Sequence, residues 1–279
     1  MDAPVDKCTF CFMSCFGSAR NRWKGIPFVM CAKPMVGLNM DYRASRNDNP
    51  AFSFLCSGYY DSLIRCGAIP VALPPLDNEA DVAQVLNSLD AFVMVGGEDL
   101  DPNLQGFETH PTVRKMDRKR EMFDRMLIAE ISRRKMPLLA IGAGMQLLNV
   151  HEGGSLYFDI SEDIPAAMPH MCKGDIYNRH ALTIKAGSFM ETIYGDSDIR
   201  VNSRHHQCIC DVAENFEVTG WCPGDNVIEV IESQDPDWFA VGMQFHPECS
   251  KTATALDMRI FEEFIANITG EVYSASVLV

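Results

Sequence analysis

Two stretches, far apart in the chain, hold residues whose types and spacing suit acyl-transfer chemistry. The first is Ala140-Ile141-Gly142-Ala143-Gly144, where an apolar run turns sharply into Met145-Gln146-Leu147-Leu148-Asn149-Val150. A strand-to-helix turn of this small-x-nucleophile-x-Gly kind holds its central residue strained and exposed, ready to attack a carbonyl. That residue here is Gly142, which reaches positive φ without penalty but has no attacking atom. The second stretch is Met243-Gln244-Phe245-His246-Pro247-Glu248, a strand end bearing a histidine with a carboxylate two residues on. His246 suits a general base and Glu248 suits the group that fixes its tautomer, as in a Cys/His/Glu or Ser/His/Asp triad. A third turn, Gly96-Gly97, lets backbone N–H groups approach a ligand. With the N–H of Ala143 at a helix start, it supplies the two halves of an oxyanion hole.

The elements around these turns alternate between strand and helix. Strands are expected at Met35–Met40, Pro70–Leu73, Asp90–Val95 and just before Gly142. Helices are expected at Ala51–Cys66, Asn78–Leu89 and Asp117–Arg134, the last with Phe123, Met126, Leu127 and Ile131 spaced for one buried face. Such alternation predicts a mostly parallel sheet covered on both faces, with ligands at the carboxyl ends of its strands. Further strands are expected at Ala181–Ile184, Ile199–Val201, Phe216–Thr219, Val227–Ile231 and Phe239–Gln244, extending or flanking the same sheet before a closing helix at Ala255–Ile268.

The chain has 279 residues, 47% of them hydrophobic, enough for one large α/β core. A net charge of -14 argues against a nucleic-acid backbone or an anionic membrane as partner, because both need clustered Lys and Arg. A small molecule, a second copy or another protein fits better. The start of the chain lacks the positive region of a signal peptide, so a cytoplasmic location is expected. The 11 cysteines are an odd number, and Cys31, Cys56, Cys66, Cys208 and Cys210 fall in apolar or strand-like stretches, where reduced thiols are expected. Cys8, Cys11 and Cys15 lack the second pair of a zinc finger. Residues 1–32 read as an N-terminal extension and 33–279 as a single domain.

Several motifs in fixed order carry a resemblance: KPMVGLNMDYR, the GGEDLDP turn, Asp117/Arg120/Glu121/Phe123, the elbow through Asn149, Gly153-Gly154-Ser155-Leu156, Val201-Asn202-Ser203-Arg204-His205-His206-Gln207, and FHPE. Over Lys33 to Ile268 the chain resembles class I glutamine amidotransferases, and within them the γ-glutamyl hydrolase group, peptidase C26. The resemblance implies a flavodoxin-like three-layer sandwich and hydrolysis of γ-glutamyl amides through a cysteine thioester. By position, His246 and Glu248 match the triad's histidine and glutamate. Gly97 and Ala143 match the oxyanion hole, and Gln146 matches the glutamine of the elbow helix. Asn202, Ser203, His205 and His206 match a loop that helps line the substrate pocket. Where the family carries cysteine, commonly followed by arginine, this chain has Gly142-Ala143.

Without the thiolate, thioester chemistry is expected to be absent, and no cofactor is expected. His205, His206 and His246 do not by their separation give a metal site, and Cys249 reads as a plain thiol. The expectation is a pseudoenzyme that binds a γ-glutamyl or amino-acid-like ligand. The alternative is hydrolysis by a water that His246 activates.

Overall fold

Strands that are apolar on both sides dictate the layers. In the computed structural model, which describes residues 32–171, 178–195 and 199–270, the central strands are β1 (Met35–Asn39), β2 (Ile69–Leu73), β3 (Ala91–Met94) and β4 (Leu138–Ile141). The second half contributes β5 (Thr183–Ile184), β6 (Phe216–Trp221), β7 (Ile228–Ser233) and β8 (Ala240–Met243). They form one sheet in the order β2-β1-β3-β4-β8-β7-β6-β5. The five strands β2, β1, β3, β4 and β8 run parallel, and β7, β6 and β5 extend the sheet antiparallel. The strand order reverses around β1 and β3, which opens a crevice at their carboxyl ends.

Five longer helices cover the sheet: α1 (Ser57–Arg65), α2 (Glu79–Leu86), α3 (Arg118–Arg134), α4 (Ala143–His151) and α5 (Ala255–Thr269). Alternate strand residues serve opposite layers, as the period of two demands. Phe92, Met94, Leu138 and Ala140 pack with Leu86, Phe123, Leu127, Met145 and Leu148 of α2, α3 and α4. Val93, Leu139 and Ile141 pack on the other face with Leu63 of α1 and with Phe261 and Phe264 of α5. Each such fully buried side chain stabilises the fold by about 1.5–3 kcal/mol. The result is the expected flavodoxin-like three-layer α/β sandwich.

Among the five longer helices, α1 and α4 start without a side-chain cap. Asn78 accepts a hydrogen bond from the Asp81 N–H, Asp117 from Lys119, and Thr254 forms a capping box with Asp257. Helix α4 begins after Gly142 and has no side-chain cap. Its first N–H groups carry the partial positive charge of a helix start without a side-chain acceptor at the cap.

Two local expectations need correction. The helix expected over Ala51–Cys66 starts only at Ser57, because Phe52–Phe54 pairs antiparallel with Asp41–Arg43. The Phe-Ser-Phe alternation suits a strand, and Arg43 adds to it by lying 5.5 Å above the Phe54 ring. The strand expected at Ala181–Ile184 is two pieces: Asn178–Ala181 pairs with Arg200–Ser203 outside the main sheet, and Thr183–Ile184 is β5. Cys66 and Cys208 are buried, but Cys56 is exposed. Burial pushes the Cys66 thiol up to about 12.

The described residues between Lys33 and Gly270 belong to one compact unit. The expected extension, with Cys8, Cys11, Cys15 and Cys31, lies outside the described residues. Among the described residues no helix is long and apolar enough to cross a membrane.

Candidate active site

Gly142 sits between β4 and α4 at φ 56 and ψ -117, a backbone conformation that a side chain adopts only under strain. Its N–H donates to the Met243 carbonyl at 2.8 Å, which ties the turn to the end of β8. A Cβ at Gly144 would lie 2.5 Å from the Met94 carbonyl oxygen, so only glycine lets α4 start this close to β3. A Cβ at Gly142 would lie 3.2 Å from Cε1 and 3.5 Å from Nε2 of His246. Any side chain placed there would face the imidazole edge.

The imidazole itself is held from three directions. Nδ1 of His246 lies 2.8 Å from Oε1 of Glu248. A carboxylate only accepts, so Nδ1 carries the proton and Nε2 presents its lone pair toward Gly142. Asn202 clamps the backbone at this point: its Oδ1 accepts from the His246 N–H at 2.9 Å, and its Nδ2 donates to the His246 carbonyl at 2.7 Å. Burial pulls the His246 pKa down, but the Glu248 charge and hydrogen bond outweigh it and hold the pKa above the ordinary histidine value. A quarter of the His246 side chain, 24%, remains accessible.

Under the Gly96-Gly97 turn lies a buried polar network. Asn39, at the end of β1, accepts from the Val95 N–H at 2.8 Å and donates to Asp124 at 2.9 Å. Arg120 of α3 donates to Asp124 at 2.6 Å, lies 3.3 Å from Asp41, and reaches the Val95 and Gly96 carbonyls at 3.4 Å. Glu121 accepts from the Asp101 N–H, which anchors the far side of the same turn. The Tyr59 hydroxyl accepts from the Gly96 N–H at 3.0 Å, and burial, then the Glu248 charge, keep that phenol protonated far above neutrality. These contacts fix the turn that brings Gly97 to the wall of the crevice.

The crevice is a cleft of about 470 Å³ lined by Gly97, His246 and Glu248 together with Asp41, Arg43, Tyr59, Arg204 and Lys251, a volume in the usual range for small-molecule sites. Arg43 faces Glu98 at 3.6 Å. Sequence reasoning brought Gly97, His246 and Glu248 to one place, next to Gly142 and Ala143. It missed the cleft's cations, Arg43, Arg204 and Lys251, and the Arg120 network beneath. Arg204 stands between Ser203 and His205, both matched to the pocket loop, and a cation at that place in the sequence was the available signal.

The remaining residues of the expected pocket loop line other places. Gln146 is buried and donates to Gln244 at 3.1 Å. Ser203 is buried and donates to the His170 carbonyl at 2.8 Å. His206 lies 3.0 Å from Asp99 and 3.4 Å from Asp159. His205 turns into the interior toward Glu229, beside His170 and His180. Cys56 and Cys249 do line the cleft. Burial and the nearby Glu248 and Asp41 charges raise the Cys56 thiol, which disfavours a reactive thiolate there.

Comparison with known proteins agrees with this architecture. Protein NtpR of Enterococcus hirae is 29% identical over 210 residues, covering 75% of this chain and 87% of that protein. A gamma-glutamyl-gamma-aminobutyrate hydrolase of Escherichia coli O157:H7 is 28% identical over 241 residues, 83% of this chain and 92% of its own. Among solved structures, the glutaminase domain of Trypanosoma brucei CTPS with bound acivicin superposes with a TM-score of 0.58 at 13% identity, covering 87% of this chain and 96% of that one. That likeness is one of fold. The family model described as Peptidase C26 matches residues 34–248, the span that carries the three turns and both His246 and Glu248, and the chain belongs to the peptidase C26 family.

Proposed function

We propose that this chain is a family member that binds a γ-glutamyl or amino-acid-like ligand in the cleft without forming a thioester. The observation that carries this reading is the position of Gly142: a Cβ there would stand 3.2 Å from His246, and the chain supplies no atom beyond it. The binding elements do not depend on that atom. The Gly97 and Ala143 N–H groups suit a carbonyl or carboxylate oxygen. Arg204 and Lys251 at the cleft suit an α-carboxylate. The γ-glutamyl substrate class follows the Escherichia coli relative, a gamma-glutamyl-gamma-aminobutyrate hydrolase.

Titration calorimetry with γ-glutamyl-γ-aminobutyrate tests the reading. Saturable one-to-one binding, with no product accumulating by chromatography, supports it. No heat at millimolar ligand, for the native chain and the Arg204→Ala variant alike, rejects it.

A second reading rests on the His246 tautomer. With Nδ1 held by Glu248 at 2.8 Å, Nε2 is placed to take a proton from a water in the space beside Gly142. This reading predicts slow turnover that disappears in His246→Ala.

A further inference from the structure

Behind the loop that holds His246, three histidines and a glutamate close around one another in the interior. His170, His180, His205 and Glu229 are all buried, with Glu229 fully so, and one ligand-type atom from each lies within 4.8 Å of the others. Nδ1 of His170, Nε2 of His180 and Nε2 of His205 stand 3.4, 3.2 and 3.3 Å from the same carboxylate oxygen, Oε1 of Glu229.

The outer nitrogens show what those inner atoms carry. Nδ1 of His180 lies 2.9 Å from the Ala181 carbonyl, and Nδ1 of His205 lies 2.9 Å from the Gln207 carbonyl. Nε2 of His170 lies 2.9 Å from the Asp225 carboxylate. Carbonyls and carboxylates only accept, so each ring commits its N–H outward and turns a lone pair inward. The Ser203 hydroxyl, 3.3 Å from His170 Nδ1, commits its proton to the His170 carbonyl at 2.8 Å. Three lone pairs and a carboxylate thus meet with no proton between them. Neither Glu229 oxygen, nor Nε2 of His180 or His205, has a hydrogen-bond partner, an arrangement that costs several kcal/mol in a protein interior unless a cation neutralises it.

Three of the six edges of the cluster have the spacing of a metal site. Ligands about 2.0–2.1 Å from a tetrahedral zinc ion stand about 3.3 Å apart along each edge of the tetrahedron, and the three nitrogen-to-oxygen separations are 3.2 to 3.4 Å. The outward N–H contacts to carbonyls and a carboxylate are the outer-shell contacts that orient metal-bound imidazoles.

We propose that His170, His180, His205 and Glu229 bind one divalent transition-metal ion of the zinc class. Four protein ligands and full burial make the site structural, with no coordination position for substrate. The ion ties β7, through Glu229, to the Asn178–Ala181 strand and to His205, just past the end of the Arg200–Ser203 strand. That segment carries Asn202, which clamps the His246 backbone, and Arg204, which lines the cleft. The metal therefore fixes the cleft from behind.

The test is metal analysis of the full chain after dialysis against zinc, and again against cobalt(II). One zinc per chain and a melting temperature that rises with zinc are expected. Cobalt is expected to give the intense visible bands of a tetrahedral site without the near-ultraviolet thiolate charge-transfer band that cysteines elsewhere in the chain would give. Glu229→Gln removes a ligand and is expected to weaken zinc binding by more than the roughly 10–100-fold that losing an outer-shell partner costs. His180→Asn serves as a second variant should that one fail to fold. Less than a tenth of an equivalent of zinc, a cobalt spectrum dominated by thiolate, or zinc binding unchanged in both variants would each overturn the proposal.

Discussion

Nδ1 of His246 stands 2.8 Å from Glu248 while its other nitrogen faces Gly142, where a Cβ would lie 3.5 Å from it. An oriented base therefore faces a residue with no proton to give. Glycine holds φ 56 here without the strain that a side chain would bring, so stability and chemistry pull in opposite directions at this position.

The first prediction follows from that opposition. At φ 56, Gly142→Ala forces a side chain into a strained backbone and against the His246 ring 3.2 Å away. It is expected to cost about 1–3 kcal/mol in urea unfolding. Unchanged or increased stability would mean that the turn relaxes and the strain argument fails.

Gly142→Cys is expected to incur a similar cost and to gain function. A thiol beside Nε2 of His246 restores the nucleophile–base pair, and γ-glutamyl anilide hydrolysis is expected to rise at least about 100-fold over the native chain. No gain, with ligand binding intact, would show that the oxyanion elements are misplaced.

Arg120 predicts a structural result. It is fully buried between Asp124 at 2.6 Å and Asp41 at 3.3 Å. Arg120→Met leaves buried carboxylates without a cation and is expected to destabilise the chain by about 3–5 kcal/mol. A loss under 1 kcal/mol, roughly the worth of a surface pair, would show that the network does not hold the Gly96-Gly97 turn.

The pH dependence has a definite sign. Glu248 outweighs burial and raises the His246 pKa in the folded chain, so folding favours the protonated ring. That stabilisation is fully present below the unfolded value of about 6.5 and is lost as pH rises through the raised folded value. His246→Gln is therefore expected to cost more stability near pH 6 than near pH 8.5. An equal cost at both values, or a larger one in alkali, would contradict the pairing.

Much of this architecture is legible in the sequence because its signals are local. Apolar runs ending in glycine turns mark the parallel strands, and the three turns of the site fall at strand ends as an α/β sheet requires. What stays hidden depends on tertiary partners. Arg120 and Glu121 enter the reading of the sequence only as members of a motif and Asp124 not at all, yet all three are buried because β1, β3 and the loop after β3 supply their partners. His205 reads as a pocket residue, yet it turns inward because Glu229 waits there. Glu229 offers a signal of its own: a lone carboxylate inside the apolar run Val227-Ile228-Glu229-Val230-Ile231 must find partners when the strand is buried. The helix expected from Ala51 fails for a similar reason, since its first residues find Asp41–Arg43 as a pairing strand.

The central claim is that the cleft binds without covalent chemistry, and acid-quenched intact-mass analysis tests it most directly. The native chain and Gly142→Cys are each incubated with a saturating γ-glutamyl anilide. The native chain is expected to keep its unmodified mass while Gly142→Cys gains one glutamyl group that hydroxylamine removes. A hydroxylamine-labile glutamyl adduct on the native chain, mapped to any side chain of the cleft, would contradict the account.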